Sequence, residues 1–224
     1  MNQPVIAASI LAADFGQLAH ETKAVLDAGA DYIHFDVMDF HFVPNLSFGP
    51  FICKTLRKHN IKAPIDVHLM VDNPQVYVEP FAQAGADLFT FHAEIVKNPS
   101  ALVKKIKQSG MEAGLAFNPE TSIDILNDTR LLKQLKMILI MSVHPGFSGQ
   151  VFMPEALDKI KKVRKLIDNS QSNAYVAVDG GIKISNVKKV IQAGANFIVL
   201  GSGIFGTKDY TKTIDDLRKK LKKL

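Results

Sequence analysis

The stretch Ala28-Gly29-Ala30-Asp31-Tyr32-Ile33 returns twice in altered form, as Ala84-Gly85-Ala86-Asp87-Leu88-Phe89 and as Ala193-Gly194-Ala195-Asn196-Phe197-Ile198. Each copy encloses a glycine between small residues and then turns apolar. Glycine tolerates positive φ, so it suits the residue just past a helix end. Each copy therefore reads as a joint where a helix stops and a strand begins. The copies start at residues 28, 84 and 193, spaced near multiples of 28, and 28 is one eighth of the 224-residue chain.

Eight strand-like runs lie on either side of such joints: Val5–Ser9, Tyr32–Val37, Ile65–Met70, Leu88–His92, Glu112–Phe117, Met137–Ser142, Tyr175–Val178 and Phe197–Leu200. Helical patterns fall between them, at Asp14–Ala28, Pro74–Ala84, Pro99–Ser109, Pro154–Ile167 and Ser185–Ala193. Asp14, Asn73, Asn98 and Ser185 suit N-caps, and Pro74 and Pro99 suit the first helical position. Alternation of this kind with short joints predicts a (β/α)8 TIM barrel, an α/β fold in which residues 1–224 form one catalytic domain. A doubly wound open sheet is the rival arrangement. No glycine-rich dinucleotide fingerprint follows the first strand, which weakens it.

Composition narrows the class further. The chain is 47% hydrophobic and 22% charged, as in globular proteins. No apolar run approaches the roughly 18 residues of a membrane helix. Met1-Asn2-Gln3-Pro4 lacks the basic region and cleavage site of a secretion signal. Cys53 is the single cysteine, which excludes a disulfide framework and a cysteine zinc cluster. A reducing, cytoplasmic setting is expected, with no membrane or nucleic-acid partner. Much of the net charge of +5 sits in Asp215–Leu224, and Ile214, Leu217, Leu221 and Leu224 recur at helical spacing along the same terminal stretch. This reads as a terminal helix with an apolar stripe and a solvated basic face. A positive field can also draw in an anionic substrate.

Strand side chains alternate between faces. If Ile33, Phe35 and Val37 face the surrounding helices, His34, Asp36 and Met38 point into the barrel. The same alternation sends Asp66, His68 and Met70 inward, together with Ser9, Thr90, His92, Tyr175, Ala177 and Asp179. Isolated buried charges cost several kcal/mol, so such carboxylates persist only when paired or bound to metal. His34, Asp36, His68 and Asp179 all fall late in their strands, toward the C-terminal face where active sites of this barrel form. Two imidazoles and two carboxylates suit a divalent metal such as zinc, ferrous iron, manganese or cobalt. A buried ion-pair network without metal is the alternative. Met38, Met70 and Met141 near the same ends form an apolar cap that excludes water. Asp66 and Tyr175 read as supporting or core polar residues.

Two glycine clusters suggest anion binding. One is Pro145-Gly146-Phe147-Ser148-Gly149-Gln150, after the sixth strand. The other is split between Asp179-Gly180-Gly181 and Gly201-Ser202-Gly203, after the seventh and eighth strands. Glycines let backbone N–H groups approach phosphate oxygens, and the last two loops are the usual phosphate site of this barrel.

These segments together resemble the ribulose-phosphate 3-epimerase family from Ser9 to Phe205. The resemblance rests on Ser9-Ile10-Leu11, Ala13-Asp14-Phe15, His34-Phe35-Asp36-Val37-Met38-Asp39, Phe42-Val43-Pro44-Asn45, Asp66-Val67-His68-Leu69-Met70-Val71, Asn73-Pro74, Met141-Ser142-Val143, Pro145-Gly146-Phe147, Val178-Asp179-Gly180-Gly181-Ile182 and Gly201-Ser202. It implies a metal-dependent epimerase that interconverts D-ribulose 5-phosphate and D-xylulose 5-phosphate through an enediolate, a step of the pentose phosphate pathway. It implies one divalent ion per subunit, commonly zinc or ferrous iron, held by His34, Asp36, His68 and Asp179. Asp36 and Asp179 would be the acid–base pair. Ser9, His68 and Asp179 would contact the sugar. Gly146, Phe147, Ser148, Gly149, Gly180, Gly181, Gly201 and Ser202 would cradle the phosphate. A homo-oligomer, dimer or hexamer, is expected on the same ground.

Three departures bear on the loops. Phe40 stands where the family usually has glycine, His144 where asparagine is common, and Ser148 where glycine is common. Ala8 replaces a usual proline. An epimerase of allulose 6-phosphate would use the same chemistry in a longer pocket. A decarboxylase or aldolase-like synthase would show an Asp-x-Lys-x-x-Asp pattern at the third strand, where this chain has His68 instead of the lysine. A non-catalytic phosphosugar-binding protein would not need the acid pair.

Overall fold

Runs rich in β-branched and aromatic residues favour extended backbone, and they form the strands of a closed barrel. The computed structural model describes residues 3–222. Its strands are β1 (Val5–Ser9), β2 (Tyr32–Met38), β3 (Ile65–Met70), β4 (Leu88–His92), β5 (Glu112–Phe117), β6 (Met137–Met141), β7 (Tyr175–Asp179) and β8 (Phe197–Leu200). Each pairs in parallel with the next, and β8 returns to β1. The expected (β/α)8 TIM barrel is the observed fold. β2 and β7 each extend one residue beyond the sequence reading, and β6 stops one residue earlier.

The helices are α1 (Leu18–Asp27), α2 (Pro50–Lys58), α3 (Val78–Ala84), α4 (Pro99–Gln108), α5 (Thr129–Leu132), α6 (Ala156–Ser170), α7 (Val187–Gln192), α8 (Ser202–Phe205) and α9 (Tyr210–Lys222). Several expected boundaries move. Asp14 caps a 3-10 turn at Phe15–Gln17 through Gly16 N–H, and α1 begins only at Leu18. Asn73 makes no side-chain cap, and Pro74 opens a 3-10 turn ahead of α3. Ser185 is not a cap, because Asn186 precedes α7 and its Oδ1 accepts from Lys183 N–H at 2.8 Å. Asn98 caps α4 as expected, accepting from Ala101 N–H at 3.2 Å. α2, α5 and α8 were not anticipated. α5 and α8 are single turns too short to show a helical period.

The core has two layers. Phe35, Phe81, Phe89, Phe91 and the aliphatic faces of the helices pack outside the sheet. Ala7, Leu88, Ala116, Met137, Leu139, Ala177, Phe197 and Val199 fill the barrel itself. Each large side chain so buried contributes roughly 1.5–3 kcal/mol. Tyr32 and Tyr175 pack against Phe197 with ring centroids 5.1 and 5.5 Å apart, and this plug occupies the N-terminal end of the barrel. Polar side chains are thereby left to the opposite end.

The repeated joint explains much of the closure. Gly29, Gly85 and Gly194 take positive φ of 107°, 87° and 114°, as the helix-end reading requires. The acidic or amide residue that follows in each copy has a shared task. Asp31 accepts from Ile6 N–H at 2.7 Å, Asp87 from Ile65 N–H at 2.7 Å, and Asn196 from Val176 N–H at 2.8 Å. Each satisfies a backbone donor of the preceding strand that the staggered ladder leaves free. Arg57 bridges Asp87 to the carbonyls of Gly85, Ile61 and Ala63. Arg218 of α9 does the same for Asp31, Gly29 and Pro4.

The tail helix therefore differs from a freely solvated basic face. Arg218 and Lys220 are tied to backbone carbonyls of the barrel. Ile214, Leu217 and Leu221 are buried as expected. Leu224 and Lys223, like Met1 and Asn2, lie outside the described residues.

Asp87→Ala removes the acceptor of a buried strand end and a partner of Arg57. It is expected to cost about 1–3 kcal/mol, lowering Tm by roughly 2–12 °C in a chain of this size. Asp87→Asn, which copies the arrangement at Asn196, should recover most of that loss in a thermal melt. Equal loss in both variants would show that the backbone bond is not the source of the stability.

Candidate active site

Strand alternation and register bring the polar cluster together. In the β2–β3 ladder His34 lies opposite Asp66, and Asp36 opposite His68. All four point into the upper barrel, and β7 delivers Asp179 from across β1 and β8. His34, Asp36, His68 and Asp179 each offer one ligand atom, and these atoms lie within 4.8 Å of one another.

The first imidazole is held from behind. Asp66 Oδ2 sits 2.8 Å from His34 Nδ1, and Asp66 Oδ1 accepts from Thr90 Oγ at 2.7 Å. A carboxylate there places a proton on Nδ1 and leaves Nε2 facing the cluster. That Nε2 is 3.3 Å from His68 Nδ1, 3.3 Å from Asp36 Oδ1 and 3.7 Å from Asp179 Oδ2. His68 Nδ1 is 3.1 Å from Asp36 Oδ1 and 4.0 Å from Asp179 Oδ2. Ligands at about 2.0–2.1 Å around a tetrahedral ion are roughly 3.4 Å apart. The spacing and the mixed nitrogen and oxygen donors therefore fit a divalent ion.

Charge is distributed unevenly over the cluster itself. Burial opposes a charge on His34, but Asp36 and Asp66 hold its pKa well above the ordinary 6.5. Burial also raises Asp36, yet His34 and His68 outweigh it and hold the carboxyl below the usual range. Burial pushes Asp179 up to about 7, with Asp36 and Asp66 adding to the rise and His34 opposing it. One carboxylate thus stays ionised near neutral pH while the other can carry a proton. Ser9 Oγ donates to Asp36 Oδ2 at 2.6 Å, which fixes the ionised group.

The cleft above the cluster is lined by Ser9, Asp36, Asp179, Met38, Met70 and Met141. Gly146, Phe147, Ser148 and Gly149 form another wall, and Gly180, Gly181, Gly201 and Ser202 complete it. His34 and His68 are fully buried and reach the centre from behind that wall. The resemblance also sets His68 against the sugar, but the side chain does not line the cleft. Glycine is required where the loops close in. A Cβ on Gly203 would sit 2.7 Å from Ile182 O, and one on Gly181, at φ +64°, would meet the Phe152 backbone.

Loop anchors to which the sequence reading assigned no role hold this mouth together. Ser47 donates to Asp36 O at 2.6 Å and accepts from Met38 N–H at 3.0 Å. Ser142 Oγ lies 2.8 and 2.7 Å from the carbonyl oxygens of Asp179 and Gly180. Asp39 accepts from His41, Phe42 and Asp72 N–H groups, joining the loops after β2 and β3. Asn45 donates to Gly146 O at 2.7 Å across the cleft mouth. His92 and Glu94 were also missed as parts of the site. His92 Nε2 lies 2.9 Å from His68 Nε2, and burial pushes the His92 ring down to about 4. Glu94 opposes burial through hydrogen bonds from His92, Thr121 and Asn118 and falls to about 2.

Two of the loop departures fall away from the cleft. Phe40 takes φ 63°, in the left-handed region where a bulky residue is strained, and its side chain is 66% exposed. His144 pairs with Glu120 at 3.4 Å on the outer surface. Ser148 lines the cleft. Among the described residues no helix is long and apolar enough to cross a membrane.

Comparison with known proteins agrees with this geometry. Residues 5–205 match the model of the ribulose-phosphate 3 epimerase family. A curated ribulose-phosphate 3-epimerase from Buchnera aphidicola subsp. Schizaphis graminum is 49% identical over 222 residues, covering 99% of this chain and 96% of that protein. One from Escherichia coli (strain K12) is 48% identical, covering 100% of this chain and 99% of that protein. Among solved structures, KGPDC from Streptococcus mutans superposes with a TM-score of 0.74 at 14% identity, covering 99% of each chain, which shows a shared fold.

A chelator-treated sample titrated with Zn2+ should gain stability that grows with the logarithm of free Zn2+ above Kd, because the preformed centre exists only in the folded chain. At a hundredfold excess over Kd the gain is about 2.7 kcal/mol, or roughly 5–11 °C in Tm. A titration without a rise in Tm would remove the metal centre.

Proposed function

The chain belongs to the ribulose-phosphate 3-epimerase family, and on that premise we propose that Asp36 and Asp179 move the C3 proton of D-ribulose 5-phosphate between opposite faces of the sugar. The enzyme is an epimerase. The reading is carried by one observation: the carboxylates of Asp36 and Asp179 converge from different barrel walls, with His34 and His68, on a single centre beneath the cleft.

The C3 hydrogen is acidic because it lies next to the C2 carbonyl. Asp36, ionised and held by Ser9, is suited to accept a proton. Asp179, with its raised proton affinity, is suited to deliver one. The roles exchange in the reverse direction, so the pair titrates jointly rather than as two independent acids. Inversion requires the two groups to act on opposite faces of the planar enediolate, and β2 and β7 approach the centre from different sides. The bound divalent ion would stabilise negative charge developing on the substrate oxygens. His34 and His68, with the two aspartates, would hold it.

The phosphate fits the glycine loops after β7 and β8, where backbone N–H groups can approach closely. The 145–150 loop supplies the remaining wall. Binding there, away from the reacting carbon, orients the sugar over the aspartates. Met38, Met70 and Met141 cap the centre with apolar surface and exclude water, which strengthens the electrostatics inside. Zinc or ferrous iron is the ion of this reading. A cytoplasmic setting and a homo-oligomer, dimer or hexamer, belong to it too, and residues 1–224 act as one catalytic domain.

Metal-loaded protein in D2O with D-ribulose 5-phosphate should give D-xylulose 5-phosphate carrying deuterium at C3, read by NMR. If neither signal appears with this substrate but both appear with a six-carbon ketose phosphate, the pentose assignment is wrong. Asp36→Asn and Asp179→Asn should each lower turnover by about 10²–10⁴-fold with the fold intact. Near-wild-type turnover in either variant would remove that residue from proton transfer. Chelation should abolish turnover, and Zn2+ or Fe2+ should restore it. Full turnover in a verified metal-free sample would contradict the assigned role of the ion.

A further inference from the structure

Behind the centre a second polar chain runs outward from His68. Its Nε2 is 2.9 Å from His92 Nε2, and the His92 Nδ1 is 3.1 Å from Glu94 Oε2. Two facing imidazole nitrogens at that distance need one proton between them. Either ring can supply it, and the choice decides what His68 shows to the centre. If His92 gives the proton, neutral His68 keeps its own on Nδ1, pointing at Asp36 Oδ1 3.1 Å away. If His68 gives it, Nδ1 presents a lone pair.

Glu94 decides between these states. A carboxylate beside His92 Nδ1 needs a proton there, so a neutral His92 must leave Nε2 bare. Both rings are fully buried, which disfavours a doubly protonated pair. Glu94 is itself held in place. Its Oε1 accepts from Asn118 N–H at 2.7 Å. The loop that carries Asn118 is clamped by Lys159, whose Nζ donates to Asn118 O, Pro119 O and Thr121 O at 2.7, 2.6 and 2.8 Å.

We propose that Glu94 is a positioning residue that acts through His92 to set the His68 tautomer, so that Nδ1 of His68 is available to a divalent ion. The two imidazoles of the centre are then oriented in the same manner by different elements. Asp66 on β3 leaves Nε2 of His34 free, and Glu94 beyond β4 leaves Nδ1 of His68 free. This inference rests on the metal-centre reading above.

The test is the Zn2+ dissociation constant, measured by chelator competition on the full-length protein. Glu94→Gln keeps the shape and removes the charge, and it should weaken Zn2+ about 10–100-fold. Glu94→Asp should recover part of the loss. Lys159→Met loosens the 118–121 loop that seats Glu94 but leaves the Glu94 charge beside His92, so it should lower Tm and weaken Zn2+ less than Glu94→Gln does. Long-range 1H–15N spectra of metal-free wild type should show His92 with its proton on Nδ1, and Glu94→Gln should lose that preference. Wild-type Zn2+ affinity retained in Glu94→Gln would overturn the proposal while leaving the metal centre standing. An equal loss in Lys159→Met would also overturn it, in favour of simple loop support. A wild-type chain that takes up no Zn2+ would overturn both readings together.

Discussion

Bringing two aspartates and two histidines out of water into one end of a closed barrel is the constraint around which the rest is arranged. Each charge alone would cost several kcal/mol, so the cluster persists by mutual compensation. His34 lies between Asp36 and Asp66, and His68 lies between Asp36 and His92. Ser9 completes the shell of Asp36. Burial raises both carboxylates, but His34 and His68 outweigh it at Asp36 and pull that group down, while Asp179 stays raised. Desolvation therefore costs stability and prepares the chemistry at once.

The barrel tolerates this because its ends are specialised. The N-terminal end is filled by Tyr32, Tyr175 and Phe197, and its strand ends are satisfied by Asp31, Asp87 and Asn196. That rigid base leaves the C-terminal end to carry the polar cluster and its loops. Ser47, Ser142, Asp39 and Asn45 tie those loops to the strand ends that present Asp36 and Asp179. Phe40 shows the demand such a mouth makes on backbone. It keeps a left-handed φ of 63° although it carries a large side chain, because Asp39 and Asn45 fix the loop on either side.

The sequence was informative where physics is local or periodic. Period-two alternation placed His34, Asp36, His68 and Asp179 on one face of their strands. The glycines of the repeat carried the helix ends. Helix starts were less legible. Asp14 caps a 3-10 turn, and Asn186 rather than Ser185 precedes α7, since short polar side chains can bind several nearby N–H groups with similar energy. α5 and α8 span one turn each and leave no period to read.

The barrel class, the inward set of metal-type side chains and the glycine loops are legible in the residue order, because strand alternation and glycine's conformational freedom are properties of neighbouring residues. Tertiary structure alone decided which groups meet. Asp179 reaches Asp36 only after β8 closes on β1. Glu94 bears on His68 only through His92, and Lys159 holds that arrangement from α6. Arg218, from the far end of the chain, completes Asp31. Such contacts follow from closing a ring of strands, and no local pattern encodes which distant side chains closure will place within hydrogen-bond reach.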